Sequence, residues 1–200
     1  MTRRIRHMVA VVFALVGIYH LGQGGWIEAK AWLAHGLIDR AWANTRATGR
    51  PTQPWPWADT WPVARLRVPA LGIERTVLHG ASGRTLAFGP AWDSASTPPG
   101  GAGVVLLSGH RDTHFRFLAE LAPGARLRLE GIDGPRDYVV EGAKVIDVRR
   151  DRLVDPGGVD ALLLVTCYPF DTLRAGGPLR YAVTARPLPE SRSASRPGAA

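Results

Sequence analysis

The stretch LLLVTCYPF, residues 162–170, runs through four apolar residues without alternation into a threonine and the only cysteine of the chain. A short apolar run of this kind reads as a buried strand. Cys167 stands where that strand ends. A thiol in this position is either a small hydrophobe closing a buried strand or a nucleophile that a rigid strand presents. The nine residues alone do not separate the two.

Outward from this strand, the chain after Val63 is a series of short β-like runs separated by Gly and Pro: ARLRVPALGI, TVLHG, GVVLLSGH, RLRLEGI, DYVVEGAKVIDV, ALLLVTCY and LRYAVTARPL. Several alternate apolar and polar residues with period two. RLRLEGIDGPRDYVV carries a turn signal between two such runs and predicts a hairpin. One helical insert is expected, THFRFLAEL. Seven or eight short strands at this spacing predict a mostly β fold, closed into a barrel or stacked as a sandwich.

The other end of the chain has a different texture. MTRRIRH precedes MVAVVFALVGIYHLG, a basic tip before an uncharged apolar segment, the pattern of an export signal or membrane anchor. No small-residue cleavage site follows Leu21, and helix-forming sequence continues with Trp26 and Trp32 near the expected interface. An uncleaved signal anchor is therefore expected over residues 1–25. Arg3, Arg4 and Arg6 lie on the cytoplasmic side by the positive-inside rule, which puts the rest outside. Residues 26–62 are expected as a stalk and linker. Ile27, Leu33, Leu37, Ile38 and Ala41 recur at helical spacing, for a stalk or a helix packed on the main domain. TGRPTQPWPWADTWP, with four prolines, then reads as a stiff linker whose Trp55, Trp57 and Trp61 dock on the domain or meet the membrane. The main domain is expected over 63–188, with a disordered tail over 189–200.

Composition narrows the partners. Lys plus Arg number 25 against 17 Asp plus Glu, a net charge of +8. The basic residues are scattered singly, with no run of five and no interleaved aromatics, which argues against nucleic acid. Arg126, Arg128, Arg149, Arg150 and Arg152 are ordinary surface charge or a face for anionic headgroups. One cysteine excludes an intramolecular disulfide. Zinc requires several Cys or His ligands at short spacing. His110 and His114 are four apart, yet no HExxH glutamate or third ligand accompanies them.

A cysteine nucleophile needs a base or cation to hold the thiolate and a donor for the oxyanion. His110, in VVLLSGHRDTHF, follows an apolar strand and a Gly. Arg180, in GGPLRYAV, opens the strand after the cysteine strand, so pairing of those strands would bring it near Cys167. His114 is expected near the start of the helical insert.

Taken together, LLVTC, SGHRDTHF and LRY behind a basic signal anchor resemble the sortases, membrane-anchored cysteine transpeptidases of bacterial surfaces. The family's active-site strand reads T-L-x-T-C. Leu163 to Cys167 stand in that place, with Leu163 replacing the first Thr at a packing position. The similarity covers roughly residues 64–186. The anchor, compact length and TCYPF are most similar to class GN sortases of Gram-negative bacteria.

The resemblance implies a closed seven- or eight-stranded barrel. It implies Cys167 as nucleophile, His110 as acid and base and Arg180 as oxyanion donor, with Thr166, Tyr168 and His114 toward substrate. It further implies a protein substrate bearing an LPxTG-like C-terminal sorting motif, transferred to a lipid-linked or peptidoglycan-precursor amine. The setting would be the inner membrane, single-pass, with the barrel on the periplasmic side. No cofactor is expected. The loop SASTPPGGAG lacks the acidic residues that bind calcium in some sortases, so no metal is expected. The reading from another class is a non-catalytic envelope barrel that binds a sorting peptide or a partner protein.

Overall fold

A computed structural model describes residues 3–151, 159–172 and 176–189. The chain divides into two compact units, Met1–Leu37 and Ile38–Ala200. Helix α1 (Arg3–Thr48) begins in the first. Met8, Phe13, Leu15, Ile18 and Leu21 are exposed there. Its most apolar stretch has a mean hydropathy of 1.6, and the helix is long and apolar enough to cross a membrane. GQGG does not interrupt it. Glycine keeps its backbone N–H, so it weakens a helix by about 1 kcal/mol per residue without removing a rung, as proline would.

In the second unit the last turns of α1 bury Ile38, Ala41, Trp42 and Thr45, the i, i+3, i+4, i+7 spacing of one helix face. Of the expected apolar stripe, Ile27 and Leu33 are exposed. Asp39 accepts from Arg65 and from the Thr76 hydroxyl, each at 2.9 Å, and Arg46 pairs with Glu130 at 2.7 Å. Gly49, at φ 67°, ends the helix by donating to the Thr45 carbonyl in the left-handed geometry that glycine allows. Two tryptophans of the linker dock on the barrel. Trp61 stacks on His79 with ring centroids 4.0 Å apart, and Trp55 meets Phe88 edge-on. Trp57 is exposed.

Eight strands follow: β1 (Pro62–Val68), β2 (Ile73–His79), β3 (Ala91–Trp92), β4 (Val104–Ser108), β5 (Arg126–Gly131), β6 (Gly134–Asp147), β7 (Ala161–Cys167) and β8 (Leu179–Pro187). They close in the order β1-β2-β3-β4-β7-β8-β6-β5, and β5 pairs back with β1. Closure leaves no strand edge open. The barrel is the closed form of the expected β fold. β1 shows why: Ala64, Leu66 and Val68 point inward and are fully buried. Between them, Arg65 and Arg67 point outward and pair with Glu74 on β2. The β5–β6 hairpin is present, its last pair Gly131↔Gly134.

β7 breaks the alternation because it is covered twice. Leu162 and Leu164 enter the main core with Leu66, Leu107 and Phe115. Leu163 and Val165 join a second cluster with Ile146 and Ala182 on the other face. Three elements differ from the sequence reading. Pro69 splits ARLRVPALGI, so a 3-10 turn (Pro69–Leu71) separates β1 from β2. β3 has two residues. A four-residue helix α2 (Gly83–Leu86) is capped by Ser82, whose side chain accepts from Thr85 N–H. The insert expected over THFRFLAEL is a 3-10 helix, Arg116–Glu120. Among the arginines considered for a headgroup face, Arg128 pairs with Asp137 and Arg149 with Asp147, while Arg152 lies outside the described residues. The expected tail beyond Pro189 also lies outside them.

Asp160 pins the start of β7. Its carboxylate accepts from Gly103 N–H, just before β4, at 2.6 Å and from Arg136 on β6. The Arg136 hydrogen bond, then the Gly103 N–H, holds this carboxyl below the usual aspartate range. A depressed folded-state pKa stabilises the protein above the ordinary carboxylate value of about 4, and the contribution is lost as pH falls through the folded value. Asp160→Asn should therefore lower the unfolding midpoint near pH 7, with the gap to wild type closing below about pH 4. A constant gap from pH 7 to pH 3 in a thermal-unfolding series would contradict this.

Candidate functional site

The site is built where β4 and β7 end together. The two strands run parallel, in register from Val104↔Ala161 to Ser108↔Val165. Beyond the last pair Gly109 N–H donates to the Val165 carbonyl at 3.1 Å. The Thr166 hydroxyl, buried, donates back to the Gly109 carbonyl at 2.7 Å. His110 thus leaves β4 beside Thr166 and Cys167. β8 runs antiparallel to β7, with Cys167 directly opposite Arg180, a separation of about 4.5–5.5 Å between Cα atoms for such pairs. The three residues that the sequence singled out for chemistry come from strand ends meeting at one end of the barrel.

Their surroundings differ. Cys167 is half-buried and His110 exposed. One Nη of Arg180 donates to the carbonyls of Gly177 and Leu179 at 2.7 and 2.9 Å, which orients the guanidinium at the start of β8. Thr166, expected toward substrate, is 2% exposed, and its hydroxyl is spent on the strand-to-strand bond. His114 is half-buried in the turn ahead of the 3-10 helix. That turn is closed by Phe115 N–H donating to the His110 carbonyl at 2.9 Å. Phe115 itself is fully buried against Gly109, and a Cβ on that glycine would lie 2.7 Å from the ring.

Two residues at the site were not singled out from sequence. Tyr181, beside Arg180, stacks on Tyr168 with centroids 6.2 Å apart and meets Phe170 edge-on at 5.2 Å. The three rings pack on one another, and Phe170 and Tyr181 also lie against the main core, on the side of Thr166, which Tyr181 faces across the strand pair. Arg111 is 8% exposed and donates to both oxygens of Asp112 and to the carbonyls of Pro169 and Thr172. The Asp112 hydrogen bond holds Arg111 above the ordinary guanidinium range, with Cys167 and Asp171 adding to it. The same bond pulls Asp112 below the carboxylate range. The signal for Arg111 was its position directly after His110; for Tyr181 it was period two, which carries no information about ring contacts across a barrel.

A thiol and a guanidinium carried at one cross-strand pair, with an imidazole leaving the neighbouring parallel strand, are the groups needed to attack a carbonyl, hold the resulting oxyanion and move a proton. The family model for the sortase domain matches residues 66–188. The chain belongs to the sortase family. It is 32% identical over 119 residues to Sortase D of Bacillus subtilis, a match spanning 59% of this chain and 60% of that protein. Among solved structures, a Sortase D5 transpeptidase of Clostridium perfringens shares the fold at TM-score 0.62 and 15% identity, covering 78% of this chain and 99% of that one. Sortase A of Corynebacterium diphtheriae does so at 0.60 and 22%, covering 68% and 65%. The sortase barrel is thus matched through all of β4, β7 and β8. Among the described residues no three His, Cys, Asp or Glu side chains gather as a metal-binding group.

The contact between Gly109 and Phe115 gives a test of how tightly the His110 loop is packed. Gly109→Ala overpacks a full core and should cost about 1–3 kcal/mol. Combined with Phe115→Leu, the two losses should sum to less than their separate values, because the smaller side chain makes room for the methyl. Denaturant unfolding of the four species would refute the contact if the losses simply add.

Proposed function

We propose that this sortase is a membrane-anchored cysteine transpeptidase with Cys167 as nucleophile, His110 as acid and base, and Arg180 as oxyanion donor. The observation that carries the reading is the cross-strand pairing of Cys167 with Arg180 at the barrel end where His110 leaves the parallel strand. The Cys167 thiolate attacks the carbonyl carbon of a scissile peptide bond, and a C–S bond forms as the carbonyl oxygen takes up negative charge. Arg180 donates to that oxygen; its charge is fixed at any working pH. The imidazolium of His110 gives its proton to the departing nitrogen, the C–N bond breaks, and a thioacyl enzyme remains. An incoming amine then attacks the thioester. His110, now neutral, takes the amine proton, and the thiolate leaves. Water in place of the amine gives hydrolysis.

The substrate is a protein carrying an LPxTG-like motif at its C-terminus, and the acceptor a lipid-linked or peptidoglycan-precursor amine. Tyr168 and His114 face the peptide, and Thr166 supports the site from within the strand. The compact barrel and TCYPF support a class GN assignment. The apolar helix serves as a single-pass inner-membrane anchor, arginines inside and barrel on the periplasmic side. Confining substrate and acceptor to one surface raises their effective concentration.

Trapping with candidate sorting peptides and mass spectrometry tests this reading. Wild type should form a thioester adduct on Cys167, and Cys167→Ala none. Arg180→Lys should lose about 10²-fold in acyl-enzyme formation, the cost of one oxyanion donor, because an ammonium lacks the guanidinium fork. An envelope barrel that only binds peptide would retain the peptide without an adduct, and the assignment would fall.

A further inference from the structure

Arg111 is a buried charge that no step above uses. Removing a guanidinium from water is costly unless its donors are matched, and here they are. Nε and Nη2 hold the two oxygens of Asp112 at 2.7 and 2.9 Å. Nη1 donates to the Pro169 carbonyl at 2.7 Å, and Nη2 also donates to the Thr172 carbonyl at 2.9 Å. The carboxylate belongs to the adjacent residue, whereas the two carbonyls lie 58 and 61 residues further along the chain. One planar group therefore fastens the segment that begins at His110 to the segment that follows Cys167.

Among the described residues the charges on the elements that meet here can be named. His110, Arg111 and Asp112 come from the loop after β4, Arg180 from β8 and Asp171 from the loop after β7. The Pro169 carbonyl that Arg111 holds stands two residues after Cys167, and after Asp112 the charges of Cys167 and Asp171 add to what raises Arg111, while those of Arg116 and His110 add to what lowers Asp112. A cation fixed near a thiol favours the thiolate. Four directed bonds in two directions also require a guanidinium; an ammonium on a flexible stem supplies the charge without the plane.

We infer that Arg111 is a positioning residue of the transpeptidation site, clamping the loop after Cys167 to the loop after His110 and presenting a second fixed cation to the thiolate. The inference rests on the transpeptidase reading, and its two parts separate by substitution. Arg111→Met removes clamp and charge, whereas Arg111→Lys keeps the charge and loses the clamp.

The experiment uses the full chain in detergent micelles and compares three measurements: the pH profile of Cys167 alkylation by iodoacetamide, acyl-enzyme formation from a trapping peptide, and the unfolding midpoint. A thiolate loses support when a neighbouring cation is removed, so Arg111→Met should shift the alkylation profile to higher pH, and Arg111→Lys should return it toward wild type. Both should form acyl-enzyme at least tenfold more slowly at saturating peptide. An alkylation profile in Arg111→Met that overlays wild type would overturn the inference, as would acyl-enzyme formation within twofold in folded Arg111→Lys. A loss of acylation that vanishes on cooling together with the stability deficit would show a merely structural staple and overturn it too. If Arg111→Met does not fold, Arg111→Lys decides alone by the same criteria. The alkylation arm needs no sorting peptide, so a failure of wild type to acylate would sink the transpeptidase reading while leaving the Arg111–Cys167 coupling measured.

Discussion

The parallel pairing of β4 with β7 is the constraint from which the site follows. Parallel neighbours must be joined by a long connection that returns the chain to the same end of the sheet. Here that connection contains the 3-10 helix and the β5–β6 hairpin, and it brings residue 161 back beside residue 104. Because the strands then point the same way, the residue after each C-terminal end emerges at the same rim. β8 runs the other way, so its first residues meet that rim as well. Residues 110, 167 and 180 are far apart in the chain and close in space for this reason alone.

Around that rim, rigid and polar parts are divided between elements. Cys167 and Arg180 sit on paired strands, whose backbone positions are fixed by the ladder. His110 sits on a loop, and loops are the softer choice for a group that must be placed to fractions of an ångström. The loop is therefore restrained from three sides. Gly109 packs face to face with the fully buried Phe115 ring, the Thr166 hydroxyl holds the Gly109 carbonyl, and Arg111 holds the opposite loop.

Local pattern made most of the barrel legible and none of its closure. Period two in ARLRV and RLRLE reveals inward and outward residues because those strands face water on one side, and the structure shows Arg65 and Arg67 outside with Ala64, Leu66 and Val68 inside. Pro69 stood in plain view as a break in ARLRVPALGI. β3, with two residues, is too short to show any period, and α2 is a single turn created by the Ser82 cap. Strand order around the barrel and the parallel β4–β7 register are long-range properties with no local signature. The same limit governs the site: His110, Cys167 and Arg180 were identified by residue type, order and resemblance. The contacts of Arg111 and Tyr181 are made with neighbours that only the folded chain supplies.

β7 poses a register problem that its apolar residues cannot solve. In a strand with one wet face, a slip of one residue exposes the hydrophobic set, and that penalty fixes the register. β7 has apolar residues on both faces, so a slip would exchange Leu for Leu and Leu for Val at little cost in burial. Polar bonds at the two ends remove this degeneracy. At the start, Asp160 binds Gly103 N–H; at the end, the Thr166 hydroxyl binds the Gly109 carbonyl. Displacing the strand by one position would leave the buried Thr166 hydroxyl unpaired, at about 1–3 kcal/mol, and would take the Asp160 carboxylate off the Gly103 N–H. Thr166 also marks the last fully covered position, since residues 161–166 are buried and Cys167 is the first to reach solvent. The threonine before the cysteine thus sets how far the thiol emerges, and opposite which residue of β8 it stands.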